Sequence, residues 1–263
     1  MSKLSRFLIG WHVQRRVLSA LMLRELATRF GRENIGFLWI MVEPLLFAVL
    51  VGLIWRALHG PEEYGINMIA FVVTGYIPLT FFRQAFGRSV KAMQANASLM
   101  YHRQVHILDL VFVRFLVEMA GGMMAYLFIG LVLFILGIFP LPHDVGMFIA
   151  GWFIYAFFTL SICLLASPLS ETSDVLEKLV PVISYLMIPF SGTFNLAMWL
   201  TPQARHYLLY SPPVSGMEMM RHGLFGDVVR PYYSLSYALS FSLIMALIGL
   251  ALCRKVRRTL VVE

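Results

Sequence analysis

Few residues in this chain have the types and spacing that bond-making chemistry needs. The seven histidines are scattered, and no HExxH, GxSxG or Cys/His cluster occurs. A zinc hydrolase or an acyl-transfer enzyme would require one of them. Each histidine therefore reads as an interfacial or internally satisfied side chain. Cys163 and Cys253 lie in separate apolar runs, so neither a metal site nor a disulfide framework is indicated. Both read as small packed residues. A phosphate-binding loop needs Gly-Lys followed by Ser or Thr. The four lysines follow Ser2, Val90, Glu177 and Arg254, so the chain has no such loop and binds no cofactor of its own. What remains is charge set among apolar residues: Glu43 beside Pro44, Arg114 with Glu118, and Glu218 with Arg221. Such groups do the work of pairing, gating and binding.

The surroundings of those charges explain why they stand out. The 263 residues are 59% hydrophobic and 13% charged, with mean hydropathy +0.77. Soluble domains are nearer a quarter charged. Apolar runs of about twenty residues match the thickness of a bilayer. Six appear, at Gly36–Leu58, Ile66–Phe86, Ile107–Phe139, Val145–Ala166, Val180–Leu200 and Ser234–Cys253. The third exceeds one crossing, and Gly121-Gly122 within it permits close helix packing. The fold class is an all-α polytopic membrane protein of six spans. It forms one domain over residues 1–263, with 1–35 an interface segment, 36–253 the spans and 254–263 a tail.

Net charge is +7, yet the basic residues flank the apolar runs rather than forming a nucleic-acid patch. Sixteen of the 21 Lys and Arg fall in the N-terminal segment, the loops after the second and fourth spans, and the C-terminus. The positive-inside rule then places both termini in the cytoplasm. The first twenty residues carry Lys3, Arg6, Arg15 and Arg16 without a long apolar core, so no signal peptide is expected there. Trp39 and Trp55 are about 24 Å apart on a helix and suit the two interfaces of one span. Trp152 and Trp199 fall near the outer face, as belt or lumen residues.

Val17–Phe30 has helical apolar spacing at Leu18, Leu21, Met22, Leu26 and Phe30, with Arg24, Thr28 and Arg29 on a more polar side. It reads either as a membrane-surface anchor or as an anchor that also docks a soluble partner. Glu43-Pro44 reads as a local structural pair or as a gating element at the entrance of a pathway. The loop Arg83–His106 is polar and basic. Its middle, Ala92–Tyr101, reads as a solvated loop or as a short helix below the membrane. The stretch Trp199–Tyr233 is rich in Pro and Tyr and holds an apolar piece, Val214–Phe225, too short to span. Two short re-entrant helices before the last span would account for it, with Glu218 and Arg221 paired three apart on one face.

Arg24-Glu25-Leu26, Arg29-Phe30-Gly31, Gly36-Phe37-Leu38-Trp39 and Glu43-Pro44 form an opening that resembles the membrane subunits of ABC-2-type exporters. Within them it is similar to the capsular polysaccharide export permeases of Gram-negative bacteria. Ser211-Pro212 with Glu218, Arg221 and Leu224-Phe225-Gly226 is a second match, although that family often has Asn-Pro at the first pair. Arg114 and Glu118, four apart, are a third, and an ion pair there is tolerable where a lone charge is not. The resemblance covers nearly the whole chain.

The resemblance implies a permease in the bacterial inner membrane that moves lipid-linked capsular polysaccharide from cytoplasm to periplasm. A second copy completes it. Two cytoplasmic ABC ATPases, which use ATP and Mg, drive it, and periplasmic and outer-membrane export proteins receive the polymer. Arg24, Glu25, Arg29 and Arg32, with Met93, Asn96, Leu99 and Tyr101, are the implied ATPase-coupling residues. Gly36, Trp39, Glu43, Pro44, Arg83, Arg88 and Arg103 are entrance or gating candidates. A hydrated polymer needs low-friction walls, and aromatic faces stack on sugar rings. Phe37, Trp55, Tyr185, Phe190 and Phe194 are candidates for that role or for ordinary packing. The alternatives are an ABC-2 permease for O-antigen, a teichoic-acid-like polymer or another lipid-linked glycan, a channel without ATP, and a membrane glycan transferase.

Overall fold

The computed structural model describes residues 3–30, 36–63, 65–92, 94–96 and 106–260. Arg32, Met93, Leu99, Tyr101 and Arg103 lie outside them. Among the described residues the chain is almost entirely helical. The helices are α1 Lys3–Phe30, α2 Gly36–His59, α3 Met68–Ser89, α4 Ile107–Ile135, α5 Val145–Thr172, α6 Asp174–Phe190, α7 Pro202–Leu209, α8 Pro212–Phe225 and α9 Leu235–Leu260. A two-residue hairpin, β1 Glu62–Glu63 and β2 Ile66–Asn67, joins α2 to α3.

The boundaries have local causes. Asn67 Oδ1 accepts from the Ile69 amide (3.0 Å) and starts α3. Asp144 Oδ1 accepts from Met147 (2.9 Å) and starts α5, and Ser173 does the same for α6 through Val175. These side chains satisfy donors that a helix start leaves open. Pro202 and the Pro212-Pro213 pair sit in the first turns of α7 and α8, where their missing amide costs nothing.

α3 is buried almost from end to end, and α5 is the second axis of the core. Trp152 of α5 stacks on Phe81 of α3 (5.4 Å) and fits over Gly122 of α4. α8 lies against α5 through glycines: Gly151, Gly216 and Gly223 each bring backbone against backbone. Gly249 of α9 meets Leu164 of α5 in the same way. Small residues at crossings are how helices associate when lipid removes the hydrophobic drive between them.

Met68–Ser89, Leu108–Ile135, Val145–Thr172 and Leu235–Val256 are long and apolar enough to cross a membrane, and Leu45–Leu58 of α2 is a shorter apolar stretch. α2, α4, α6 and α9 carry rows of exposed large apolar side chains, as a chain dissolved in lipid does. Several expected spans differ in extent, and two of the differences have a visible cause. The third helix stops at Ile135 rather than Phe139, because Gly137 takes φ 70° and turns the chain. The fifth run, expected at Val180–Leu200, starts earlier and breaks earlier. Ser173 caps it at one end, and after Phe190 the chain turns through Gly192 (φ 74°) into an irregular stretch. That break leaves backbone carbonyls inside the protein, and their partners define the first of two polar centres.

Candidate functional site

The stretch 191–200 is held by three charged side chains from α7 and α8. Arg221 is fully buried. Its Nη1 donates to the carbonyls of Gly192 (2.6 Å) and Asn195 (3.1 Å), and its Nη2 donates to the carbonyl of Thr193. The guanidinium also lies 4.2 Å over the Phe71 ring of α3. Glu218, equally buried, accepts from the Ala197 amide (3.1 Å). Glu218 and Arg221, expected to pair, attract each other, and both also reach the broken backbone, one for its carbonyls and one for an amide. A flat fork with five donors suits three converging carbonyls where an ammonium would not. Buried irregular backbone is met by protein partners in this way.

Arg205 of α7 completes the clamp. Its Nε donates to the carbonyl of Ala197 (2.7 Å), its Nη2 donates to that of Leu200 (3.1 Å), and it stacks 4.2 Å over Tyr232. Sequence reasoning took Arg205 only as a loop charge. The Thr201-Pro202 helix start one turn before it was the available signal, since it aims Arg205 back at the chain just left. Gly75 of α3 lies directly beneath this loop, against the Thr193 carbonyl.

The second centre lies at the other end of α3, about 20 Å away at 1.5 Å per residue. Arg24 of α1 donates to Asn96 Oδ1 (2.9 Å), and Asn96 Nδ2 donates to the Ala92 carbonyl (2.9 Å). Two segments that the sequence singled out for coupling are therefore in contact. Glu25 Oε1 is 3.9 Å from Arg114 Nε on α4. Arg114 also donates to the Arg88 carbonyl (2.7 Å), and Arg88 forms an ion pair with the buried Glu118 (2.8 Å). Arg114 and Glu118, expected to pair along α4, thus also reach across to other helices. Gln14 of α1 donates to Asp109 of α4. Leu21, flanked by Val17, Leu18 and Met22, packs on Leu110 and Val113. The apolar side of α1 therefore lies in part on α4.

The same polar belt reaches α5 and α6. The Lys91 amide donates to Ser170 Oγ (2.9 Å), Lys91 Nζ meets Glu177 Oε2 (2.6 Å), and the Gln94 amide donates to Glu171 Oε1 (3.3 Å). None of these partners was identified from sequence, because the loop gives no periodicity from which to place them.

The aromatic candidates separate into two groups. Tyr185 and Phe190 of α6 are 60% and 54% exposed, and Arg83 of α3 stands 5.1 Å over the Tyr185 ring. Trp55 and Phe194 are instead in contact (5.5 Å) and packed against Ile66, Phe71 and Leu196. They read as packing in this structure rather than as an open wall. Gly36, Phe37, Trp39, Glu43 and Pro44 lie on α2 and Arg29 on α1, with their side chains outside the described residues. No group of three or more His, Cys, Asp or Glu able to hold a metal occurs among the described residues.

Comparison with known proteins agrees over almost the full length. The chain is 38% identical over 242 residues to the capsule polysaccharide export inner-membrane protein BexB of Haemophilus influenzae, covering 92% of this chain and 91% of that protein. It is 38% identical over 245 residues to the protein CtrC of the same description from Neisseria meningitidis serogroup A, covering 93% and 92%. The polysialic acid transport protein KpsM of Escherichia coli is 28% identical over 253 residues, covering 93% and 95%. Residues 16–225 match the ABC-2 type transporter family, and this polytopic helical chain belongs to that family.

Proposed function

We propose that this chain is the membrane-spanning permease of an exporter that carries capsular polysaccharide, as a lipid-linked polymer, out of the cytoplasm. It is a transporter subunit rather than an enzyme. ATP and Mg are used by a separate cytoplasmic ATPase, two copies of which serve two copies of this chain. The chain sits in the bacterial inner membrane with both termini in the cytoplasm. It makes six crossings, with α7 and α8 entering from the outer face without crossing. Periplasmic and outer-membrane export proteins take the polymer onward.

The observation that carries this reading is the contact of Arg24 with Asn96. It joins a long basic helix outside the bundle to the loop between the second and third spans, at the end of α3 that bears Arg88 and the Lys91 loop. A channel without a motor has no use for such a paired platform. A glycan transferase would need an acid, base or metal constellation that the sequence lacks. The relatives' names support the choice of capsular polysaccharide over another glycan. The opposite centre supports export in another way, because a loop clamped by Arg205, Glu218 and Arg221 gives the outer end of the pathway a fixed rim.

Arg24→Glu tests the platform. It removes a charge-assisted hydrogen bond and puts an anion beside the Asn96 carbonyl oxygen. Export should fall about tenfold or more, equivalent to about 1.4 kcal/mol of coupling, while membrane abundance and ATP hydrolysis by the assembled complex persist. Surface polymer per unit of inserted protein is the measurement. Export that tracks abundance alone would remove the docking role.

A further inference from the structure

Lys91 is the only residue other than glycine with positive φ (50°) among the described residues. A residue with a Cβ is strained there, and such a conformation persists only when its surroundings over-determine it. Here they do. The Lys91 amide is taken by Ser170 of α5, and its ammonium is taken by Glu177 of α6. Three residues on, Gln94 is tied to Glu171 at the end of α5, and beyond it Asn96 holds Arg24 of α1. Residues 90–92 and 94–96 therefore lie between α1 on one side and the start of α6 on the other.

α6 is the helix best placed to respond. It follows α5 after one extended residue, Ser173 (φ −155°, ψ 120°), which makes a short hinge. One face, with Leu176, Val180, Ile183 and Met187, packs on the core. The other, with Val175, Leu179, Val182, Tyr185, Leu186 and Phe190, is exposed. Its far end stops at the clamped 191–200 stretch. A helix with a one-residue hinge at its start and one open face has fewer contacts to break on tilting than a helix buried on all sides.

We propose that the Lys91–Glu177 ion pair is the link through which movement of the α1 and 90–96 platform is passed to α6, making both positioning residues for transport. This rests on the reading of the chain as an ATP-driven permease. The pair is 30% and 53% exposed on its two sides. Surface pairs of that kind contribute little to stability, so cutting it leaves the fold intact. A large loss of transport on cutting it would come from the link and not from unfolding.

The test uses a strain whose surface polysaccharide depends on this chain, so that failure of the permease reading shows in the parent and failure of the link only in the variants. Lys91→Glu and Glu177→Lys are each expected to lower surface polymer about tenfold at unchanged inserted protein, with ATP hydrolysis retained in membranes. The doubly reversed protein, Lys91→Glu with Glu177→Lys, should return to within about twofold of the parent, because opposite charges again face each other. Lys91→Gly relieves the backbone but deletes the charge, and it should behave like the single reversals. Full export in the single reversals, full export in Lys91→Gly, or a double reversal no better than the singles would overturn the link.

Discussion

Arg221→Met should destabilise the protein by about 3–5 kcal/mol, the range for breaking one side of a buried charged network. The methionine fills most of the volume but donates nothing. The carbonyls of Gly192, Thr193 and Asn195 would lose their partner, and an unsatisfied buried polar group costs about 1–3 kcal/mol. The stack on Phe71 goes as well. Arg221→Lys should fall between methionine and the parent, since one ammonium cannot reach three carbonyls and lie flat on a ring. Thermal inactivation of the purified protein in mild detergent is the measurement. A methionine variant that inactivates at the parent temperature would contradict the clamp, whereas Tyr207→Ala, a change at an exposed side chain of α7, should be close to neutral.

The second large effect is steric. A Cβ at Gly223 would come within 2.5 Å of the Phe148 amide nitrogen and 2.8 Å of the Asp144 carbonyl. At Gly216 it would meet the Tyr155 amide at 2.8 Å and the Gly151 carbonyl at 2.9 Å. Both obstacles are backbone, so the helix must move as a body. Gly223→Ala and Gly216→Ala should each cost about 1–3 kcal/mol, and the double substitution should lift α8 off α5 and carry Arg221 away from its carbonyls. Gly87→Ala is the control. Nothing lies within 4 Å of its Cβ position, and alanine in a helix gains about 1 kcal/mol over glycine. Inactivation temperatures that leave Gly223→Ala and Gly87→Ala indistinguishable would contradict the close α5–α8 contact.

Much of the fold is legible because a bilayer makes simple demands. Long apolar stretches and the rule that backbone must be internally bonded give the helices around Met68–Ser89, Val145–Thr172 and Leu235–Leu260. The short apolar piece after Pro212 reads as a helix that is too short to cross. The fifth run misleads for a physical reason. Val180–Leu200 carries no charge, so hydropathy reads one span through Ser191-Gly192-Thr193, where Gly192 adopts positive φ and the helix has ended.

The polar centres were half legible. Arg221, Glu218, Arg114 and Glu118 stand out as charges in apolar surroundings, but spacing along one helix points to partners three or four residues away. The structure adds partners on other elements that spacing does not give: the 191–195 carbonyls, Ala197, Glu25 and Arg88. In a protein of many packed helices, long side chains reach the nearest unmet group, and that group is set by tertiary packing. Lys91, Arg205 and Glu177 escaped notice because each looks like an ordinary charge at the end of a span.

The central claim is that this chain moves a capsular polysaccharide across the inner membrane, and deletion of its gene in the native host tests it most directly. Polymer is then located by fractionation into surface, periplasm and cytoplasm. The account predicts lipid-linked polymer accumulating inside the cell and none at the surface, restored by the intact gene and not by Arg24→Glu. Normal surface capsule in the deletion strain would contradict it.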